Sequence, residues 1–124
     1  MPDLFHFTCA HRAPLIRADG YVRPLAELLD TEPARLVVPW GAFAWFTDLA
    51  VPIRDALGLT SSILKCDRTE YRFRVFPPVE VTQWASVRRE FPWAWELETA
   101  DGARPMHWWI SADPIPVIEA PRAE

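Results

Sequence analysis

Leu4-Phe5-His6-Phe7-Thr8 is a short run of strongly β-forming residues that carries one imidazole and one hydroxyl. Successive side chains of a strand point to opposite faces, so Phe5 and Phe7 lie on one face and His6 and Thr8 on the other. We expect the aromatic face to pack into the core. The other face places two polar side chains where a core would carry aliphatic ones, and this pattern predicts a groove for a polar ligand.

Two units of strand followed by helix are predicted in the first half of the chain. After the first strand, Cys9–Ala18 has the apolar spacing of a short helix, and Gly20 is suited to end it. The second unit joins a strand over Ala42–Thr47 to a helix over Leu49–Leu57. Asp48 stands between them, where it can cap the start of the second helix.

The second half of the chain is predicted to be mostly β. Over the rest of the chain, outside the two strand–helix units, two single helical turns are expected, at Leu25–Leu29 and Ala85–Phe91. Further strands are predicted at Tyr21–Pro24, Leu36–Val38, Glu70–Phe76, Val79–Trp84, Ala94–Thr99, Met106–Ser111 and Val117–Ala120. The sum is an α+β fold: one compact domain over residues 1–120, mostly antiparallel β with two short N-terminal helices, and a flexible tail over 121–124.

Composition excludes several classes of protein. The net charge of -4 over 124 residues argues against an extended nucleic-acid footprint, although twelve of the thirteen basic residues are arginines. No segment has the length of a membrane span or the pattern of a signal peptide, so we expect a cytoplasmic protein with its two cysteines reduced. His and Cys spacing predicts no metal site. The glycine patterns of nucleotide-binding loops and the nucleophile elbow of hydrolases are absent.

The order of these motifs resembles the ADP-ribosyltransferase fold. His6-Phe7-Thr8 and the helix that ends at Asp19-Gly20 are similar to the opening of that fold, and Ala44–Asp48 leading into the second helix is similar to its middle motif. Trp108–Asp113 would take the place of its third element, an acidic residue beside a late strand. The resemblance is closest to small bacterial and phage members, including those that modify nucleic acid. It implies two split sheets with NAD bound in the cleft between them.

The resemblance also implies roles for acidic and polar side chains. Cleavage of the nicotinamide–ribose bond of NAD develops positive charge on the sugar, which a carboxylate stabilises. Asp113 or Glu119 would supply that carboxylate. His6 would hydrogen-bond a ribose hydroxyl, with Thr8 supporting the same network.

The resemblance further implies that aromatic, hydroxyl and basic side chains bind the nicotinamide and the pyrophosphate of NAD. Trp45 or Phe46 would stack on the nicotinamide, and because Thr47 shares a face with Trp45, the pair of Trp45 and Thr47 is favoured. Arg12 or Arg17 would meet the pyrophosphate. The implied enzyme is an NAD-dependent glycosyltransferase that needs no metal and transfers ADP-ribose to a macromolecule, either nucleic acid or protein.

A second hypothesis stays open, because each of these residues also has a structural interpretation. His6 could bond to the backbone, Asp113 could begin a turn before Pro114, and Glu119 could lie on the surface. The glutamate usual in the third motif is not evident. The chain could then be a catalytically inactive module of the same fold, acting through a protein partner that its seven tryptophans would contact. The sequence leaves the oligomeric state open.

Overall fold

The computed structural model describes residues 3–10, 12–24, 43–50, 70–99 and 102–120. The strand and helical turn predicted between residues 25 and 38 lie outside these ranges. So do the second predicted helix beyond Ala50 and the predicted tail, residues 121–124.

The described elements are short strands and helices separated by turns. In chain order they are β1 (Phe5–Thr8), α1 (Ala13–Asp19), β2 (Tyr21–Val22), β3 (Ala44–Thr47), β4 (Tyr71–Val75), β5 (Thr82–Gln83), α2 (Trp84–Val87), α3 (Ala94–Glu98), β6 (Trp108–Ser111) and β7 (Ile115–Ala120), with 3-10 turns at Arg88–Glu90 and Pro105–His107.

The first predicted unit, a strand followed by a helix, is confirmed. The helix begins at Ala13 rather than Cys9, with Pro14 in its first turn, where a proline costs no backbone hydrogen bond. Gly20 ends it with φ of 79° and donates its N–H to the carbonyl of Ile16 at 2.7 Å. This left-handed conformation is readily available to glycine.

The described strands form one antiparallel sheet of seven strands in the order β2-β7-β4-β1-β3-β6-β5. The α+β class is therefore confirmed, but the two split sheets that were predicted are joined. The joint is narrow, because β1 and β3 share the single registered pair Phe5–Thr47. The pairs β1–β4, β4–β7 and β3–β6 each share four.

Each face of the sheet is covered by helices. We call the side that carries Leu4, Phe73 and Val117 the helix face, because Ala13 and Ile16 of α1 pack against it. We call the other side, which carries Trp108 and Ile110 of β6, the tryptophan face. There Trp84 of α2 and Ala94 of α3 complete a second core. The first core extends across the sheet from β2 to β3, whereas the second is confined to the side of β3 and β6.

β1 is buried on both faces. The expected burial of Phe5 and Phe7 is confirmed, since each is 8% exposed. On the opposite face, where a groove was predicted, Leu4 and Thr8 are 2% and 1% exposed and His6 alone is partly exposed, so any opening is confined to the surroundings of His6. Neighbouring β4 places Phe73 opposite His6, so this face of β1 continues the core beneath α1.

Other boundaries differ from the prediction for identifiable reasons. The strand predicted at Ala94–Thr99 is the helix α3, because Ala94 and Leu97, three residues apart, both face the second core. The strand predicted at Val79–Trp84 is limited to β5, and Trp84 already begins α2. β6 starts at Trp108, two residues later than predicted, while β7 starts at Ile115 and includes Pro116.

Candidate functional site

The candidate site lies at the seam, by which we mean the gap between β1 and β3 beyond the Phe5–Thr47 pair. His6 of β1 reaches across it, and its Nδ1 lies 2.8 Å from the backbone carbonyl of Trp45. The imidazole packs beside Phe46, with ring centroids 5.8 Å apart. A histidine side chain thus bridges the two halves of the sheet where backbone pairing stops.

This hydrogen bond sets the chemistry of the imidazole. A carbonyl oxygen only accepts, so Nδ1 of His6 is the donor, and in the neutral ring Nε2 is then an acceptor. An acceptor of this kind can take a hydrogen bond from a sugar hydroxyl. The bond to the backbone uses Nδ1, and the binding role of His6 stays a prediction.

Two buried polar atoms near the seam have no hydrogen-bond partner among the described residues. They are Oγ1 of Thr8 and Nε1 of Trp109. Thr8 shares the helix face with His6, and Trp109, opposite Phe46 in the ladder, lies on the same face across the seam. Buried polar groups in folded proteins are nearly always satisfied, so these two are candidates to meet a ligand. Sequence analysis gave Trp109 no role.

Trp45 and Thr47, the predicted nicotinamide pair, lie on the tryptophan face, away from the His6 side chain. The Trp45 ring packs against Trp84 at 5.1 Å and edge-on against Trp108 at 6.0 Å. Thr47 is buried, and its hydroxyl accepts the N–H of Leu49 at 3.1 Å. Phe46, the alternative to Trp45 for stacking on the nicotinamide, is the one that lies on the His6 side of the sheet.

Glu119 shares the helix face with His6. It lies opposite Phe73 on β4, and Phe73 lies opposite His6 on β1, so the three residues form one row across the sheet. Two strand spacings separate the backbones of the outer residues, about 10 Å. Arg17 of α1 donates from Nε and Nη2 to the Glu119 carboxylate at 2.8 and 2.7 Å.

The ion pair joins two residues that were predicted to act separately. Hydrogen bonds from Arg17 lower the pKa of Glu119, and those to Glu119 raise the pKa of Arg17. In this structure the Arg17 guanidinium is hydrogen-bonded to the Glu119 carboxylate. Arg12, the other residue predicted to meet the pyrophosphate, is half-buried at the start of α1.

Asp113 lies in an exposed turn between β6 and β7. The Ser111 hydroxyl donates to the Asp113 carbonyl at 2.8 Å and accepts the Asp113 N–H at 3.0 Å. The turn predicted before Pro114 is therefore present. The Asp113 residue lines an open groove together with Glu80 and Glu90, apart from the row of His6 and Glu119.

A histidine–aspartate contact that sequence analysis did not predict lies at the paired end of β3. Nδ1 of His107 is 2.6 Å from an Asp48 carboxylate oxygen, and the Asp48 N–H points to the His107 carbonyl at 3.4 Å. The contact fastens the end of β3 to the start of β6. Asp48 was considered only as a helix cap. Its contact with His107 could not be read from the sequence, because the two residues are 59 positions apart.

Comparison of the chain with protein-family models, with curated proteins and with solved structures gave no match. Within the described ranges, no helix has the length and apolar character needed to span a bilayer. In the same ranges, no group of three or more histidine, cysteine or acidic side chains is arranged to hold a metal ion.

Proposed function

We propose that this chain is an ADP-ribosyltransferase-like domain that binds NAD at the seam and transfers its ADP-ribose to a macromolecular acceptor. The observation that carries the proposal is the position of His6. Its side chain, on a strand whose sequence resembles the family's first motif, sits where pairing between two halves of the sheet is reduced to one residue pair. A joint of this kind is where a ligand cleft between two sheets would open.

The seam offers suitable groups to a ribose and its ring substituent. The Thr8 hydroxyl and the Trp109 indole N–H can donate to ligand oxygens, and the His6 imidazole lies on the same face. Phe46, one of the two residues expected to contact the nicotinamide, lies beside the imidazole. All four side chains belong to the helix face.

Of the two predicted acids, we assign the catalytic role to Glu119. It shares a face and a cross-strand row with His6, which the exposed turn at Asp113 does not. Arg17 holds the Glu119 carboxylate by two hydrogen bonds and lowers its pKa, and an ionised carboxylate is the form that stabilises positive charge on the sugar. The acceptor is a nucleic acid or a protein.

Calorimetric titration with NAD tests the proposal directly. We expect the wild-type chain to bind at micromolar to sub-millimolar concentration and His6→Ala to bind at least tenfold more weakly. His107→Ala is the matched control, because it removes the other described histidine that makes a side-chain contact, away from the seam. Circular dichroism checks that both variants are folded. Absence of binding by wild type, or equal affinity of His6→Ala, would refute the assignment.

A second candidate, a binding module without catalytic activity, is favoured by a specific observation. On the helix face of β6, the strand next to β3, the side chains are Trp109 and Ser111 rather than a carboxylate. Release of nicotinamide from NAD separates the two candidates. The transferase requires release that Glu119→Gln abolishes while NAD binding persists, whereas the module binds NAD or a partner protein and releases none.

A further inference from the structure

A second concave surface lies away from the seam, between β5, β6 and the helices of the tryptophan face. It is an open groove of about 400 Å³, within the size range of sites for small molecules. Apolar side chains from several elements line it, among them Phe43, Val81, Val87 and Phe91. Val81 belongs to the first core and the other three pack against the second, so the groove is built on packed parts of the fold.

The rim of this groove is negatively charged. Glu80, Glu90 and Asp113 all line it, and among the described lining residues there is no lysine, arginine or histidine. None of these three carboxylates forms an ion pair with a described residue. Three like charges around an apolar surface focus a negative potential into it.

Two aromatic rings that line the groove add to its preference for a positively charged ligand. Phe43 and Phe91 meet at 69° with centroids 5.3 Å apart, and so form a corner. Phe91 is held in place by Trp84, stacked at 5.7 Å, and by Trp93 at 5.0 Å. Aromatic faces carry negative quadrupole potential and attract organic cations. The aromatic rings and the carboxylates thus both favour an organic cation as the ligand of this groove.

We propose that this groove binds a small organic cation, an ammonium group on an apolar or aromatic body. The apolar body would pack against Phe43, Val87 and Phe91, and the charge would lie among Glu80, Glu90 and Asp113. The proposal gives Asp113 a ligand-binding role in place of the catalytic role that the sequence suggested. It stands independently of NAD binding at the seam.

The test uses phenethylammonium as the cation and 2-phenylethanol as a neutral molecule of nearly the same shape. Binding is followed by NMR chemical shifts and by tryptophan fluorescence of the full chain. We expect millimolar or tighter binding of the cation, and at least fivefold weaker binding of the alcohol. Removing one rim charge with Glu90→Gln or Asp113→Asn should weaken cation binding about two- to fivefold.

Two further variants make the result specific. Glu70→Gln removes an exposed carboxylate outside the groove and should leave cation affinity unchanged. Ala112→Arg places a bulky positive charge on an exposed lining position, where folding should not suffer, and should abolish binding. Failure of the cation to bind at 10 mM, equal binding of the alcohol, or full binding by Ala112→Arg would overturn the proposal. Titration of Ala112→Arg with NAD measures binding at the seam independently of binding in the groove.

Discussion

Replacing Thr8 by valine is expected to stabilise the free protein and, at the same time, to weaken NAD binding. Thr8 is 1% exposed, and its hydroxyl has no partner among the described residues. A buried hydroxyl without a hydrogen bond costs about 1–3 kcal/mol, and valine has nearly the same shape without that cost. We therefore expect Thr8→Val to raise the free energy of unfolding in urea by about 1 kcal/mol.

The same hydroxyl, if it donates to the ligand, is lost from the complex. One neutral hydrogen bond is worth about 1 kcal/mol, so NAD affinity of Thr8→Val should fall about fivefold in a calorimetric titration. Stability and affinity then move in opposite directions, which a general disturbance of the fold would not produce.

Thr47 provides the matched control. It is 2% exposed, but its hydroxyl accepts the N–H of Leu49 at 3.1 Å. Thr47→Val leaves that N–H without its partner and should lower the free energy of unfolding by about 1–2 kcal/mol. The reasoning is refuted if Thr8→Val loses stability as Thr47→Val does, since the Thr8 hydroxyl would then be satisfied in the free protein.

Three other perturbations test the fold and its charges. Trp84→Phe removes part of a fully buried ring and its N–H bond to Glu98, and should cost about 1–3 kcal/mol in urea denaturation. Gly20→Ala places a side chain at φ of 79° where no atom lies within 4 Å, so backbone strain alone should cost about 1 kcal/mol and lower the thermal midpoint. The lowered pKa of Glu119 contributes stability above the ordinary carboxyl value of 4.5, and that contribution is lost as pH falls through the folded pKa. Arg17→Gln should raise the pKa of Glu119 in an NMR titration and remove the loss of stability at acid pH. An unchanged pKa would contradict the ion pair.

The local parts of the fold could be predicted from the sequence, because their signals are contained in a few neighbouring residues. β1 and α1 follow from alternating β-forming residues and from a helix that ends at Gly20. The helix α3 was predicted as a strand since Ala94–Glu98 is short and alternates apolar and acidic side chains from Trp95 onward, and a run of that length fits either structure. Packing of its Ala94 and Leu97 on the second core decides between them.

The arrangement of the candidate site could not be predicted in the same way. Which face of β1 is buried depends on β4, whose Phe73 lies opposite His6 although it is far away in the chain. The ion pair of Arg17 and Glu119 joins residues 102 positions apart. Contacts of this kind depend on strand order and register, which a single sequence does not contain.

The central place of β1 has a consequence for how the chain folds as it is synthesised. β1 leaves the ribosome before both of its partners, β3 and β4, and β4 in turn waits for β7, which spans Ile115–Ala120. Until those residues appear, the nascent chain holds unpaired strand edges and exposed aromatic side chains. Folding dominated by such distant pairings is slow and prone to aggregation. The first strand is therefore exposed to contacts with other chains until β3 and β4 have been synthesised.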